Sequence, residues 1–174
     1  MPAELLAGAP GFGSPWYAFI HVHSHNINLM RYFLGDDYEV LHADFRGKLK
    51  LSVLAYRPAS LGEAVVTLEV GSGISAHAFE EGMKLYFQRG WIELIPPPPL
   101  LMQGGARVTI YRDNELMELT QPLPEWDWSF RRQARHFIDC IREGRQPKSS
   151  GADSVGDLAM AEAIFRRAVE AGTI

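Results

Sequence analysis

The hydrophobic pattern changes period along the chain. From Trp16 to Val22 the residues are mostly aromatic or branched, a composition that predicts a strand. At its end His21, His23 and His25 alternate at a period of two, which puts them on one face of an extended segment. Ile27, Met30, Phe33 and Leu34 then recur at helical spacing. Ser24 suits the N-cap of that helix and Gly35 its stop. The expectation is a strand whose end carries three histidines and turns into a helix over about Ser24 to Leu34.

From Tyr38 to about Thr120 the pattern is strand-like. Tyr38 to Phe45, Lys48 to Tyr56 and Glu63 to Val70 are rich in apolar and β-branched residues. Lys48-Leu49-Lys50-Leu51-Ser52-Val53 alternates as a strand with one wet face would. Gly71-Ser72-Gly73 reads as a turn. Shorter strands are expected at Ile74 to Phe79, Met83 to Phe87, Trp91 to Ile95, Arg107 to Arg112 and Leu116 to Leu119. The last two flank a turn at Asp113-Asn114. Pro96 to Pro99 cannot donate ladder hydrogen bonds, so a strand ends there, and a stiff connection fits them better than a polyproline ligand.

The last third returns to helical period. Phe130, Ala134, Phe137, Ile138 and Ile141 fall on one face, with Gly144 as terminator. Ser150-Gly151-Ala152-Asp153 caps a final helix with the stripe Val155, Leu158, Ala161, Phe165 and Ala168. Segregated strands and helices predict an α+β fold: an open, largely antiparallel sheet of about six strands with helices packed on one face. Residues 1–15 read as an N-terminal loop, and residues 16–174 as a single α+β domain.

Composition narrows the partners. The chain has 174 residues, 47% hydrophobic and 22% charged, with a net charge of −4. That balance suits a globular domain and speaks against a nucleic-acid partner. No apolar run reaches membrane-spanning length, and the first residues lack the basic flank of a signal peptide, so no membrane partner and a cytoplasmic location are expected. Cys140 is the single cysteine. It excludes a disulfide within the chain, and its neighbours Phe137, Ile138 and Ile141 suggest a buried thiol rather than a nucleophile.

The three histidines admit three readings. As metal ligands they would need companions, and His42 or His77 could complete a shell. No cysteine pair or companion carboxylate motif accompanies them, so no metal is expected. As acid–base groups they suit oxidation of an alcohol, whose proton must leave as hydride departs. At the head of a helix, His25 would have its imidazolium disfavoured by the dipole, leaving the base form available. As structural residues they would simply line a cleft. Gly71-Ser72-Gly73-Ile74-Ser75-Ala76 fits G-x-G-x-x-A after a strand, with Glu93 beyond. Gly82 interrupts the helix that should follow, and no further βα units are present, so a dinucleotide site is not expected there.

Three stretches together resemble one family. His25-Asn26-Ile27-Asn28-Leu29-Met30-Arg31-Tyr32-Phe33-Leu34-Gly35 is similar to an H-x-x-D helix ending in Gly. Phe87-Gln88-Arg89-Gly90-Trp91-Ile92-Glu93-Leu94 is similar to a G-x-x-G-x-I-x-L strand turn, with Gln88 at the first Gly. Phe130 to Pro147, with Gly151-Ala152-Asp153 and the last helix, is similar to a C-terminal signature. These are features of the C-terminal domain of the Gfo/Idh/MocA oxidoreductases. The resemblance implies an α+β domain that supplies a substrate pocket and an oligomer interface through its open sheet. In that family it follows an N-terminal Rossmann domain that binds NAD or NADP. No Glu-Lys-Pro motif, the family's catalytic-lysine signature, occurs here, so the chain is expected to be the second domain alone.

The family's catalytic histidine falls on His25. Its frequent partner Asp, four residues earlier, falls on His21, and the Asp three residues later on Asn28. The implied function is the substrate-binding and oligomerisation domain of an NAD(P)-dependent oxidoreductase acting on a sugar, cyclitol or related polyol. His25 would be catalytic, and His21 and His23 would contact substrate. NAD or NADP is expected for the full-length enzyme and none for this chain, which is expected to be inactive alone and to form a homo-oligomer. The alternatives are a non-enzymatic dimeric binding module of the same fold and a histidine-dependent metal protein.

Overall fold

The computed structural model describes residues 15–47, 49–57, 62–71 and 80–174. Its first element is one unbroken helix, α1, Pro15–Leu34. Proline is pre-set for a first helical turn. Trp16, Phe19, Ile27, Met30 and Leu34 are all buried and recur at helical spacing. Gly35 ends the helix at φ 82° and donates its N–H to the Arg31 carbonyl at 2.8 Å. The strand expected at Trp16 to Val22 is therefore helix. Its aromatic and branched residues favour extended backbone only weakly, and burying Trp16 and Phe19 on the same helix as Ile27, Met30 and Leu34 outweighs that preference.

The chain divides into two compact units, Met1–Ala76 with Ser149–Ile174, and His77–Lys148. In the first unit β1 (Tyr38–Asp44), β2 (Leu49–Tyr56) and β3 (Ala64–Gly71) form an antiparallel sheet in that order. Helix α1 and the last helix, α3 (Gly151–Glu170), pack on one face of it. Leu54, Tyr56, Leu68 and Val70 are buried beneath them. Phe45 meets Phe19 and Phe165 at ring-centroid distances of 5.1 and 5.6 Å. Thr173 closes the unit: its hydroxyl donates to the Ala43 carbonyl at 2.6 Å, and its own carbonyl accepts from the Phe45 N–H at 2.7 Å.

Two expectations about facing are corrected here. The alternation in β2 is real, but the polar residues Lys50 and Ser52 are the covered ones, whereas Leu49 is exposed. Leu54 and Tyr56 anchor the strand, and a period of two carries Ser52 and Lys50 to the same side. In α3 the buried stripe is Asp157, Met160, Ala161, Ile164, Phe165 and Ala168, while Val155 and Leu158 are exposed. The first turns of α3 face α1 with carboxylates, as described below.

The second unit holds an antiparallel meander of β4 (Met83–Phe87), β5 (Gly90–Ile95), β6 (Arg107–Arg112) and β7 (Glu118–Thr120). Gly90, at φ 142°, has no room for a side chain, since a Cβ would fall 2.1 Å from the Tyr111 carbonyl oxygen. The β6–β7 turn runs to Met117, further than expected, because the Asn114 side-chain oxygen accepts the Leu116 N–H at 3.1 Å. Helix α2 (Ser129–Glu143) ends at Gly144, φ 64°, as its sequence predicts. Its apolar face does not form a core within the described residues: Phe130, Phe137, Ile138 and Ile141 are exposed, and only Cys140 is buried. The Cys140 sulfur accepts from Arg145 Nη1 at 3.0 Å and lies 3.5 Å from His136 Nε2.

The α+β class stands, with seven strands among the described residues arranged in two antiparallel sheets. No helix among them is long and apolar enough to cross a membrane. Residues 1–14, the turn at Ser72-Gly73, the segment Ile74 to Phe79 and His77 lie outside the described residues.

Candidate functional site

All three sequence-predicted site residues lie on α1. An α-helix turns about 100° per residue, so positions two apart lie about 200° apart around the axis. The shared face expected for His21, His23 and His25 is thereby lost, and positions 21 and 25 fall in register instead. The side chains of His21 and His23 lie outside the described residues. His25 is exposed, and no described residue hydrogen-bonds its imidazole. Ten helical residues precede it. It is therefore not at a helix head, and the dipole argument for its base form does not apply, because that field fades beyond the first turn.

One turn further along α1 the structure becomes specific. Asn28 Nδ2 donates to Asp153 Oδ2 at 3.1 Å and to Asp157 Oδ2 at 3.0 Å, both on α3. Arg31 Nη1 reaches Asp157 Oδ1 at 2.5 Å and the Asp153 carbonyl at 2.9 Å. Arg31 Nη2 reaches Asp153 Oδ1 at 3.1 Å, and Nε reaches Asp36 Oδ1 at 2.6 Å. The Arg31 side chain is 8% exposed and that of Asp157 11%. One buried guanidinium thus faces three carboxylates, and the Asn28 amide supplies donors to two of them. The Asp36 hydrogen bond is the largest influence raising the Arg31 pKa, with burial opposing and Asp157 adding to it. An aspartate at position 28 would leave a fourth carboxylate there and remove the donor, so the departure from H-x-x-D fits this α3.

Glycine completes the clamp. A Cβ on Gly156 would lie 2.2 Å from Arg31 Nη2. The planar guanidinium rests on α3 where a side chain is missing. The sequence carried a signal for this cluster that the periodicity reading passed over. Asp153 and Asp157 are four apart on one helix, while Asn28 and Arg31 are three apart on another, so each pair shares a face.

His42 does not join His25. It sits exposed on β1, on the face of the sheet away from the helices, in a groove of about 400 Å³ with Asp44, Arg46 and Leu51. Arg46 donates to both Asp44 oxygens, and these hydrogen bonds hold the Asp44 pKa down at about 2. Among the described residues no group of three or more His, Cys, Asp or Glu is placed to hold a metal ion.

The described residues contain no dinucleotide-binding βαβ unit. Every strand pairing among the described residues is antiparallel. The parallel βαβ crevice that a dinucleotide fingerprint requires is not built from them, and the first described element after Gly71 is a strand, β4.

No family model and no curated protein matches the chain. Among solved structures, the chain is similar to KijD10, a 3-ketoreductase from Actinomadura kijaniata solved with NADP and TDP-benzene. The TM-score is 0.65 at 19% identity, over 86% of this chain and 45% of that one. It is also similar to an aldose–aldose oxidoreductase from Caulobacter crescentus complexed with glycerol. There the TM-score is 0.59 at 20% identity, over 92% of this chain and 51% of that one. The fold is that of one part of these oxidoreductases. The chain spans about half the length of each.

Proposed function

We propose that this chain is the substrate-binding and oligomerisation domain of an NAD(P)-dependent oxidoreductase of the Gfo/Idh/MocA type, acting on a sugar, cyclitol or related polyol. The observation that carries this reading is the shared fold over 86% of the chain with a ketoreductase that binds NADP and TDP-benzene. The sequence resemblance adds to it, because its three stretches fall on α1, on the β4–β5 hairpin and on α2 with the start of α3. His25 is the acid–base group. Its exposed imidazole can take a proton from, or return one to, a substrate hydroxyl. The Asn28–Arg31–Asp157 clamp beneath it fixes the helix turn from which it projects. His21 and His23 contact substrate. The cofactor, NAD or NADP, is held by a domain other than this chain, and the uncovered face of β1–β3, with Leu49 and Val65 exposed, is the surface for a second copy.

A panel of sugars, cyclitols and a nucleotide sugar titrated into the ¹⁵N-labelled chain tests this reading. Chemical-shift changes should centre on α1 around His25, and His25→Ala should weaken binding about tenfold, as loss of a hydrogen bond to a polar substrate would. Shifts that avoid α1 for every compound would defeat the assignment of His25. Turnover of NAD(P)H by the isolated chain would defeat the placement of the cofactor outside it.

One observation favours a non-enzymatic binding module of the same fold. No described carboxylate orients His25, and Asn28 is engaged by α3. In that case binding would survive His25→Ala.

A further inference from the structure

The four-stranded sheet of the second unit carries a feature that the reading above does not use. Tyr86, Trp91, Tyr111 and Leu119, one from each strand, are directly paired across β4 to β7 and so share one face. Trp91 and Tyr111 stack at 5.9 Å with an interplanar angle of 29°, and Tyr86 at the end of the row is 74% exposed. The neighbouring row on the same face is polar: Lys84 pairs with Glu93 and Glu93 with Thr109, which is buried with its hydroxyl accepting from Gln121 at 3.2 Å, so that Lys84 and Glu93 are the half-buried members of the row. The Lys84 ammonium links the two rows. It lies 4.1 Å from the Trp91 ring centre, 5.4 Å from that of Tyr86 and 3.9 Å from Glu93. Beyond Lys84 the face opens into a pocket of about 230 Å³ lined in part by Glu80, Glu81 and Glu93.

A wholly apolar partner would strip water from Lys84 and the carboxylates without pairing them, at a cost that rings alone do not offset. The same face also carries exposed Arg107, paired with Ile95 one step beyond Glu93, so a second copy laid face to face would oppose three glutamates, one lysine and one arginine to the same set, a net repulsion. The same excess of carboxylates disfavours a phosphate-bearing ligand. A neutral ring with one apolar face and a rim of hydroxyls meets neither objection. Its C–H face stacks on the aromatic row, and its hydroxyls reach the polar row alongside. We propose that this face of β4–β7 is a binding surface for neutral saccharide rings, with Tyr86 and Trp91 as the stacking platform and Lys84 and Glu93 as hydroxyl partners. The proposal does not depend on the reading of His25.

The test is a titration of the ¹⁵N-labelled chain with two neutral probes, cellohexaose and maltohexaose. At least one should shift the amides of β4 to β6, and Tyr86→Ala, at an exposed position that leaves folding intact, should weaken that binding about fivefold, as loss of one aromatic stack does. Trp126→Ala, an exposed ring outside the four strands, should leave it unchanged. The proposal is overturned if neither sugar shifts those amides, if Tyr86→Ala binds like the parent chain, or if sedimentation shows a dimer that Tyr86→Ala dissociates.

Discussion

At the scale of single residues, the Arg31 clamp shows how one missing side chain sets an interface. Alanine at position 156 would gain about 1 kcal/mol of helix propensity. It would also push the guanidinium off its site, because the added methyl falls 2.2 Å from Nη2. Breaking a buried ion pair costs about 3–5 kcal/mol, and displacement forfeits part of that. Gly156→Ala should therefore lower stability by about 2 kcal/mol in urea denaturation, and an unchanged or raised midpoint would contradict the packing described. Tyr56 makes a second prediction. It is fully buried, its hydroxyl donates to Met160 Sδ at 3.4 Å, and burial pushes its pKa upward. A group whose folded pKa is raised contributes stability that is complete below its unfolded value, about 10 for tyrosine, and that is lost as pH rises further. Tyr56→Phe should thus change stability by less than about 1 kcal/mol at neutral pH. Above about pH 10 it should lose stability less steeply than the parent, which urea midpoints across that range would reveal.

At the scale of elements, α1 is where the sequence was hardest to read. Trp16 to Val22 have strand-like composition, and three alternating histidines reinforce a period of two. The spacing of Trp16, Phe19, Ile27 and Met30 carries the helical period, but the segment between is polar, so the stripe looks broken without its buried surroundings. The remaining elements were legible because they are marked by punctuation: Gly35, Gly90 and Gly144 all take positive φ and stand at ends or turns. Which face of an element is covered was less legible. Lys50 and Ser52 lie inward because the far end of β2 is more strongly anchored, and α2 shows its apolar face to solvent. The Asn28–Arg31–Asp153–Asp157 cluster was beyond a search for apolar periodicity, since it joins two helices more than a hundred residues apart by polar contacts alone. Continuity of α1 has a direct test. If a helix began with Ser24 as its cap, proline at position 25 would occupy the first helical turn and be tolerated. In a helix that began at Pro15, His25→Pro removes an internal hydrogen bond and should cost about 3 kcal/mol or more. A thermal midpoint close to that of His25→Ala would refute the continuous helix.

At the scale of the molecule, the two units differ in what holds them. Among the described residues, sixteen of the buried apolar residues that define the core, from Trp16 to Val70 and from Met160 to Ala168, belong to the first unit, and the second contributes Cys140. Hydrophobic burial is the main favourable term in folding and scales with the area removed from water. The meander β4–β7 rests more on its ladder hydrogen bonds and cross-strand pairs, and α2 ends in the Cys140–Arg145 contacts with little apolar cover. Regions with few buried apolar contacts open below the free energy of global unfolding. Native-state hydrogen exchange should therefore show amides of β2 and β3 exchanging near the global limit, and those of β5 and β6 at least about tenfold faster. Addition of a partner that covers the apolar face of α2 should slow exchange in the second unit first, by the mass-action stabilisation that binding confers on a folded state. Equal protection in both units of the isolated chain would mean that Phe137, Ile138 and Ile141 are already covered in solution, and that the chain does not present this helix to anything else.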